Sequence, residues 1–337
     1  MASLPTICAV IPVHNEEENL PELTRRLRAS FEKLPDFDWK VILVNDGSAD
    51  QSASLILQLR AEDPRFCLLD LSRNFGHQAA LSAGLAYSDG DVVVMMDADL
   101  QDPPELIPDM VSKWREGFEV VYAVRRRRKG SVLKRALYAI FYRMNRMIAQ
   151  VNIPLDAGDF CLMDRCVVEA VCGLPERNRF LRGLRSWVGF RQIGYEYDRP
   201  DRFAGTTKYS LLKLVRLAVS GFIGFSTVPL RLASWIGLAS ACTGFLVGAW
   251  AIGTRILNIA APRGWASLIS TIMFLGGVQL MLLGILGEYV GNVNEEVRRR
   301  PVFIVRKFYS SLPPPARWQR TDPSAPAVDP PPERDPV

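Results

Sequence analysis

The chain has 337 residues, 48% hydrophobic and 23% charged, enough for two ordinary domains and too apolar for a disordered polymer. Its formal net charge of +5 suits an anionic substrate or an anionic membrane surface and is no nucleic-acid footprint. The charge is unevenly spread: 232–254 and 264–287 are uncharged runs, whereas 1–230 has the charge density of a soluble protein.

In chain order, 6–13 (TICAVIPV) is β-branched and apolar, which predicts a buried strand. Residues 16–33 place Leu20, Leu23, Leu27 and Phe31 at helical spacing. A second strand, 40–44, ends at Asn45-Asp46-Gly47-Ser48, where Ser48 or Asp50 is placed to cap the helix that follows. Strands at 66–71, 91–96 and 119–124 alternate with helices at 77–87 and from Pro103-Pro104 through about Trp114. This alternation predicts an α/β domain with a mainly parallel sheet, whose ligands bind at the carboxyl ends of the strands. Those ends carry His14–Glu16, Asp46, Asp97–Asp99 and Arg125.

Further on, 208–224 has Lys213, Arg216 and Ser220 on one helical face and Leu211, Leu212, Val215, Ala218, Val219 and Phe222 on the other, as an interfacial helix does. The two uncharged runs are each long enough, at ~1.5 Å per residue, to cross a ~30 Å hydrocarbon core. Lys208, Lys213, Arg216 and Arg231 precede them and Arg298, Arg299, Arg300, Arg306 and Lys307 follow, while the loop between holds Arg255 and Arg263. The positive-inside rule then puts both termini in the cytoplasm. MASLPTICAV has neither the basic nor the apolar part of a secretory signal, in keeping with a cytoplasmic N-terminal part. Residues 311–337 contain nine prolines and are expected to be disordered. Six cysteines without a CxxC pair, beside only two histidines, argue against zinc and for small buried hydrophobes in a reduced compartment.

As a bare tripeptide, Asp97-Ala98-Asp99 is a common solvated turn. Leaving a buried strand and followed by Leu100-Gln101-Asp102-Pro103-Pro104, it fits a hard divalent cation bridged to a diphosphate. Asp46 is placed to accept from a base N–H or a ribose hydroxyl, with Pro12, His14 and Glu16 completing that pocket; Asn-Asp-Gly is also a good turn by itself. Neither GxGxxG nor GxxxxGK[ST] occurs, so dinucleotide and P-loop readings lack their phosphate cradle.

Together with Arg73-Asn74-Phe75-Gly76-His77 and Gly158-Asp159-Phe160, these segments in this order resemble glycosyltransferase family 2 over roughly residues 5–310. They are most similar to the polyprenyl-phosphate glycosyltransferases, with bactoprenol glucosyltransferases nearer than dolichyl-phosphate mannose synthase. The resemblance implies a GT-A-type, Rossmann-like catalytic domain (1–207), an interfacial helix (208–229) and a two-helix transmembrane hairpin (230–290, spans about 232–254 and 264–287). A juxtamembrane segment (291–310) and the Pro-rich tail (311–337) complete that division. It implies Mg²⁺ or Mn²⁺ on Asp97 and Asp99, and a nucleotide-sugar donor on Pro12, His14, Glu16, Asp46, Asp97 and Gln101. The acceptor phosphate falls to Arg135, Arg202 and Lys208, and catalytic roles to Asp99, Arg125 and Asp159.

The implied reaction is inverting transfer of a sugar, glucose from UDP-glucose before GDP-mannose or a UDP-amino sugar, onto undecaprenyl phosphate at the inner membrane. A lipid monophosphate is already a nucleophile at neutral pH, so Asp159 either takes a proton or positions the sugar, with positioning preferred. The resemblance also implies a homo-oligomer and a downstream flippase or glycosyltransferase, and no nucleic acid. Two readings compete. A processive polysaccharide synthase would carry a Q/RxxRW motif, which Arg182-Gly183-Leu184-Arg185-Ser186-Trp187 misses by one position. A non-enzymatic scaffold would not need intact carboxylates at every strand end.

Overall fold

The computed structural model describes residues 4–126, 157–177, 179–198 and 264–310, with scattered residues between 235 and 250. Its first half follows the expected alternation: β1 (Thr6–Val13), α1 (Leu20–Phe31), β2 (Asp38–Asn45), α2 (Ser52–Glu62), β3 (Phe66–Leu71), α3 (His77–Tyr87), β4 (Val92–Met95), α4 (Ile107–Arg115) and β5 (Val120–Arg125). Then come β6 (Ala157–Asp164), α5 (Arg165–Gly173), α6 (Leu181–Trp187), β7 (Gln192–Tyr197), α7 (Trp265–Val297) and β8 (Val305–Tyr309).

The strands form one eight-stranded sheet in the order β7-β5-β6-β4-β1-β2-β3-β8. β1 pairs in parallel with β2 and β4, β2 with β3, and β5 with β7. β6 runs antiparallel between β4 and β5, and β8 antiparallel along β3. The sheet is therefore mainly parallel, as expected, but mixed: β6 and β8 run against the other six strands. Apolar runs reveal strands but not their direction, which the connections set.

Side chains alternate across this sheet. Ile7, Ala9, Ile11 and Val13 of β1 pack with Leu20, Leu23, Leu27 and Phe31 of α1 on one face. Cys8 and Val10 pack with Ala80, Ala83 and Leu85 of α3 on the other. Each fully buried aliphatic side chain contributes about 1.5–3 kcal/mol to that arrangement. α3 is rich in small residues because it lies against the sheet: a Cβ on Gly84 would collide with Val10. α1 begins later than the sequence suggests because the N–H groups of Asn19 and Leu20 both close onto the Glu16 carbonyl, a turn entered through Asn15 at φ 57°. All six cysteines are free; Cys8, Cys67 and Cys161 are buried as expected, whereas Cys166 and Cys242 are exposed.

α7 is a 33-residue helix, longer than the expected span, and its stretch Phe274–Val297 is long and apolar enough to cross a membrane. The described residues between 235 and 250 are helical. After α7 the chain returns to the sheet: β8 covers the edge of β3, with Ser72 N–H donating to the Ile304 carbonyl at 2.9 Å and Phe308 packed edge-on against Tyr87. The interfacial helix, the tail 311–337 and much of 232–254 lie outside the described residues.

Candidate active site

The ends of β1 and β2 are joined by the loop that precedes α3. Asp46 is 3% exposed, and its two carboxylate oxygens accept from the N–H groups of Phe75 (2.7 Å) and Gly76 (3.0 Å). Gly47 lets that loop approach: its φ is +65°, and a Cβ there would stand 2.5 Å from Asn74 N. Asp46 thus fixes the 73–76 loop at the carboxyl end of β2, where the nucleotide contact was expected. His14 is exposed beside it, Nδ1 lying 3.0 Å from the Asp46 carbonyl and 3.2 Å from Asn74 Nδ2. Glu16 accepts from Asn19 Nδ2 at 2.5 Å, and its N–H donates to Ser52 Oγ at 3.0 Å. Pro12 is buried within β1, opposite Val44.

Beyond β4, the Asp97–Asp102 segment makes a strained turn. Leu100 is 2% exposed yet has φ 61°, a left-handed backbone that a leucine adopts only under constraint. The constraint is visible on both sides of it. Asp99 Oδ1 accepts from Gln101 N–H at 3.1 Å, and the buried Asp102 accepts from Tyr197 OH at 2.8 Å. Asp97 Oδ1 is buried and accepts no hydrogen bond, with His77 Nε2 3.4 Å away.

β6 brings Asp159 to the same place, 6% exposed. Arg182 of α6 grips it with both arms, Nε to Oδ1 at 2.7 Å and Nη2 to Oδ2 at 2.9 Å. Gln78 Nε2 donates to Oδ2 at 3.3 Å while its Oε1 accepts from Leu181 N–H at 3.0 Å, so one amide ties Asp159 to the start of α6. His77 Nε2 stands 3.4 Å from Asp159 Oδ2, between two carboxylates.

The electrostatics follow. Burial alone would raise Asp159, but His77 and Arg182 outweigh it and hold the carboxyl far below its usual range. Asp97 goes the other way: burial, with Asp102, Asp159 and Asp99 nearby, raises it against the pull of His77. Burial opposes charge on His77, yet the hydrogen bond to Asp159 and the two carboxylates win, so its imidazolium is favoured.

The structure thus assembles Asp97, Asp99 and Asp159, with His14, Glu16 and Gln101 on neighbouring strand ends. Arg125 ends β5, paired with Tyr197. Arg135, Arg202 and Lys208 lie outside the described residues. Sequence reasoning missed Arg182, Gln78 and Tyr197 as partners of the acidic residues and left His77 without a role. Only the proximity of Gln78 to the Arg73–His77 segment offered a signal.

Residues 8–172 match the family described as glycosyl transferase family 2, and 228–293 the one described as GtrB C-terminal hairpin. The uncharacterized glycosyltransferase YkcC of Bacillus subtilis is 44% identical over 89% of this chain and 93% of its own. The prophage bactoprenol glucosyl transferase homolog of Escherichia coli is 42% identical over 89% of this chain and 98% of its own. For the bactoprenol glucosyl transferase of Shigella phage SfII the figures are 42%, 91% and 99%. Identity at this level, over most of both chains in each pair, makes the protein a member of glycosyl transferase family 2.

Proposed function

We propose that the protein moves glucose from UDP-glucose to the phosphate of a polyprenyl (undecaprenyl) lipid at the cytoplasmic face of a membrane, inverting the anomeric carbon. Asp159 is the observation that carries this reading. A carboxylate held ionised by Arg182 and His77 is a poor proton acceptor. That suits an acceptor needing no base: a phosphate monoester with a second pKa near ~6 is largely dianionic at neutral pH. Asp159 then positions the sugar, and its bidentate partner fixes it there. The lipid and the sugar are those in the names of the relatives, bactoprenol glucosyl transferases.

Asp97 and Asp99 would hold Mg²⁺ or Mn²⁺. They fit such an ion: Asp97 has a buried oxygen with no hydrogen bond, among carboxylates whose repulsion a cation relieves. One or two carboxylates completed by substrate phosphates is also the usual Mg²⁺ arrangement. When bound, the ion supplies charge neutralisation to the departing diphosphate. Pro12, His14, Glu16, Asp46, Asp97 and Gln101 would line the donor side, with Asp46 also setting the 73–76 loop. Arg135, Arg202 and Lys208 would hold the acceptor phosphate and Arg125 would serve catalysis, with 1–207 as the catalytic part, 208–229 at the interface and 230–290 in the membrane.

A donor screen tests this reading. Purified protein in detergent receives undecaprenyl phosphate, Mg²⁺ or Mn²⁺ and one radiolabelled nucleotide sugar at a time. Label is expected in the lipid phase from UDP-glucose and is lost in Asp99→Ala. Transfer from another donor corrects the sugar; no lipid-linked label from any donor, with the protein folded, sinks the proposal.

A further inference from the structure

A second basic site lies where the catalytic sheet meets α7. Arg177 and Arg179, on the loop between α5 and α6, and Arg298 and Arg300, just past α7, line one cavity of about 390 Å³. Its wall also includes Glu295 and Gln78, so the balance of these charges is positive. Among the described residues, none of the four arginines is ion-paired with a carboxylate. Four guanidinium groups against one carboxylate leave a net positive cavity, which a bound anion would relieve.

The cavity is built rather than incidental. Arg179 donates to the carbonyls of Leu174 (2.8 Å), Cys172 (3.4 Å) and Val171 (3.4 Å) at the end of α5. Those acceptors are neutral, so they orient the guanidinium without cancelling its charge. The Arg177 N–H donates to Glu296 Oε1 at 2.9 Å, which ties the loop to the last turn of α7. Arg299, at φ 48°, turns the chain between the two lining residues Arg298 and Arg300. Two sequence-distant arginine pairs are thus locked together by contacts that the cavity itself does not require.

Position narrows the ligand. α7 carries the stretch long and apolar enough to cross a membrane, and the arginines follow its last turn, on the side of the bilayer where basic juxtamembrane residues meet anionic headgroups. We infer that this cavity binds the anionic phosphate headgroup of a membrane lipid. Gln78 forms part of its wall and also donates to Asp159, so the headgroup rests one side chain away from the candidate active site. The inference rests on the proposed membrane setting of α7, though not on the sugar or the donor. A polyprenyl phosphate and a bulk anionic phospholipid offer the same chemistry.

The test counts bound lipid rather than product. The full-length protein in maltoside micelles is titrated separately with undecaprenyl phosphate, phosphatidylglycerol, phosphatidylcholine and inorganic phosphate, and retained ligand is read by native mass spectrometry. An anionic lipid is expected to be retained, and Arg298→Gln/Arg300→Gln to weaken one bound copy by about tenfold or more, as losing charge-assisted hydrogen bonds should. Arg300→Glu, a single exposed change, gives the same loss should the double variant melt early. Preference for undecaprenyl phosphate over phosphatidylglycerol identifies the acceptor as occupant; equal retention of the two identifies the surrounding leaflet. Retention untouched by the substitutions, equal retention of phosphatidylcholine, or binding of inorganic phosphate with no lipid overturns the inference. A failed donor screen alongside intact, arginine-dependent lipid retention would count against the transferase reading alone.

Discussion

Replacing Arg182 by Gln removes both arms of the grip on Asp159. Each hydrogen bond to a charged group contributes about 1.5–3 kcal/mol net, and breaking a buried pair leaves the remaining charge unsatisfied. Two such bonds to a carboxylate only 6% exposed would put the loss at about 3–6 kcal/mol. Gln78 and His77 still face Oδ2, which favours the lower end, near ~3 kcal/mol. For a domain of this size, that lowers the melting temperature by roughly 6–12 °C. Lysine at 182 should not rescue it, since a single ammonium cannot reproduce the planar fork. Asp159→Asn in the Arg182→Gln background should recover part of the loss, because no buried charge is then stranded. Scanning fluorimetry of both single variants and the double closes the cycle. A coupling energy below about 0.5 kcal/mol, or a single variant as stable as the parent, would refute the view that Arg182 holds Asp159 in place.

Gly47→Ala forces a Cβ against Asn74 N at a left-handed φ and should cost about 1–3 kcal/mol, read as a lowered melting temperature; a neutral effect would mean the 73–76 loop is free to withdraw. Asp46→Asn sets an amide N–H₂ against a backbone N–H, so limited trypsin digestion should cut faster after Arg73, and an unchanged digestion pattern would contradict the anchoring role. Asp63 offers a pH test: burial pushes it up, but the Arg65 and Arg28 contacts hold it below its ordinary 3.8. A depressed carboxylate stabilises above its unfolded pKa and loses that as pH falls through the folded value, so the deficit of Asp63→Asn, about 1 kcal/mol near neutrality, should vanish well below pH 3.8.

β1 to β5 were legible because continuous apolar runs bounded by turn residues can be little else, and the acidic groups at their carboxyl ends marked the site before any geometry was known. β7 was not: Gln192–Tyr197 exposes most of its side chains in part and lacks such a run. β6 holds Asp159, yet its reversed direction depends on the connection from β5 and leaves no trace in its own residues. The loop-anchoring bonds of Asp46 were not legible for a physical reason. A carboxylate that satisfies two backbone N–H groups and one that awaits a ligand have the same one-letter signature. Arg182 and Asp159 are far apart in sequence, and nothing in local spacing declares that a guanidinium will cross that gap.

The return of the chain to β3 sets a ruler. Only seven residues, Arg298–Ile304, separate the end of α7 from β8, and at most ~3.5 Å apiece they reach no further than roughly 25 Å. The sheet edge therefore stays within that reach of the helix end, and with α7 in a bilayer the acidic cluster is confined to a layer above the leaflet. A reactive group at that depth meets the cluster by lateral diffusion in two dimensions. The same group free in solution must find it in three.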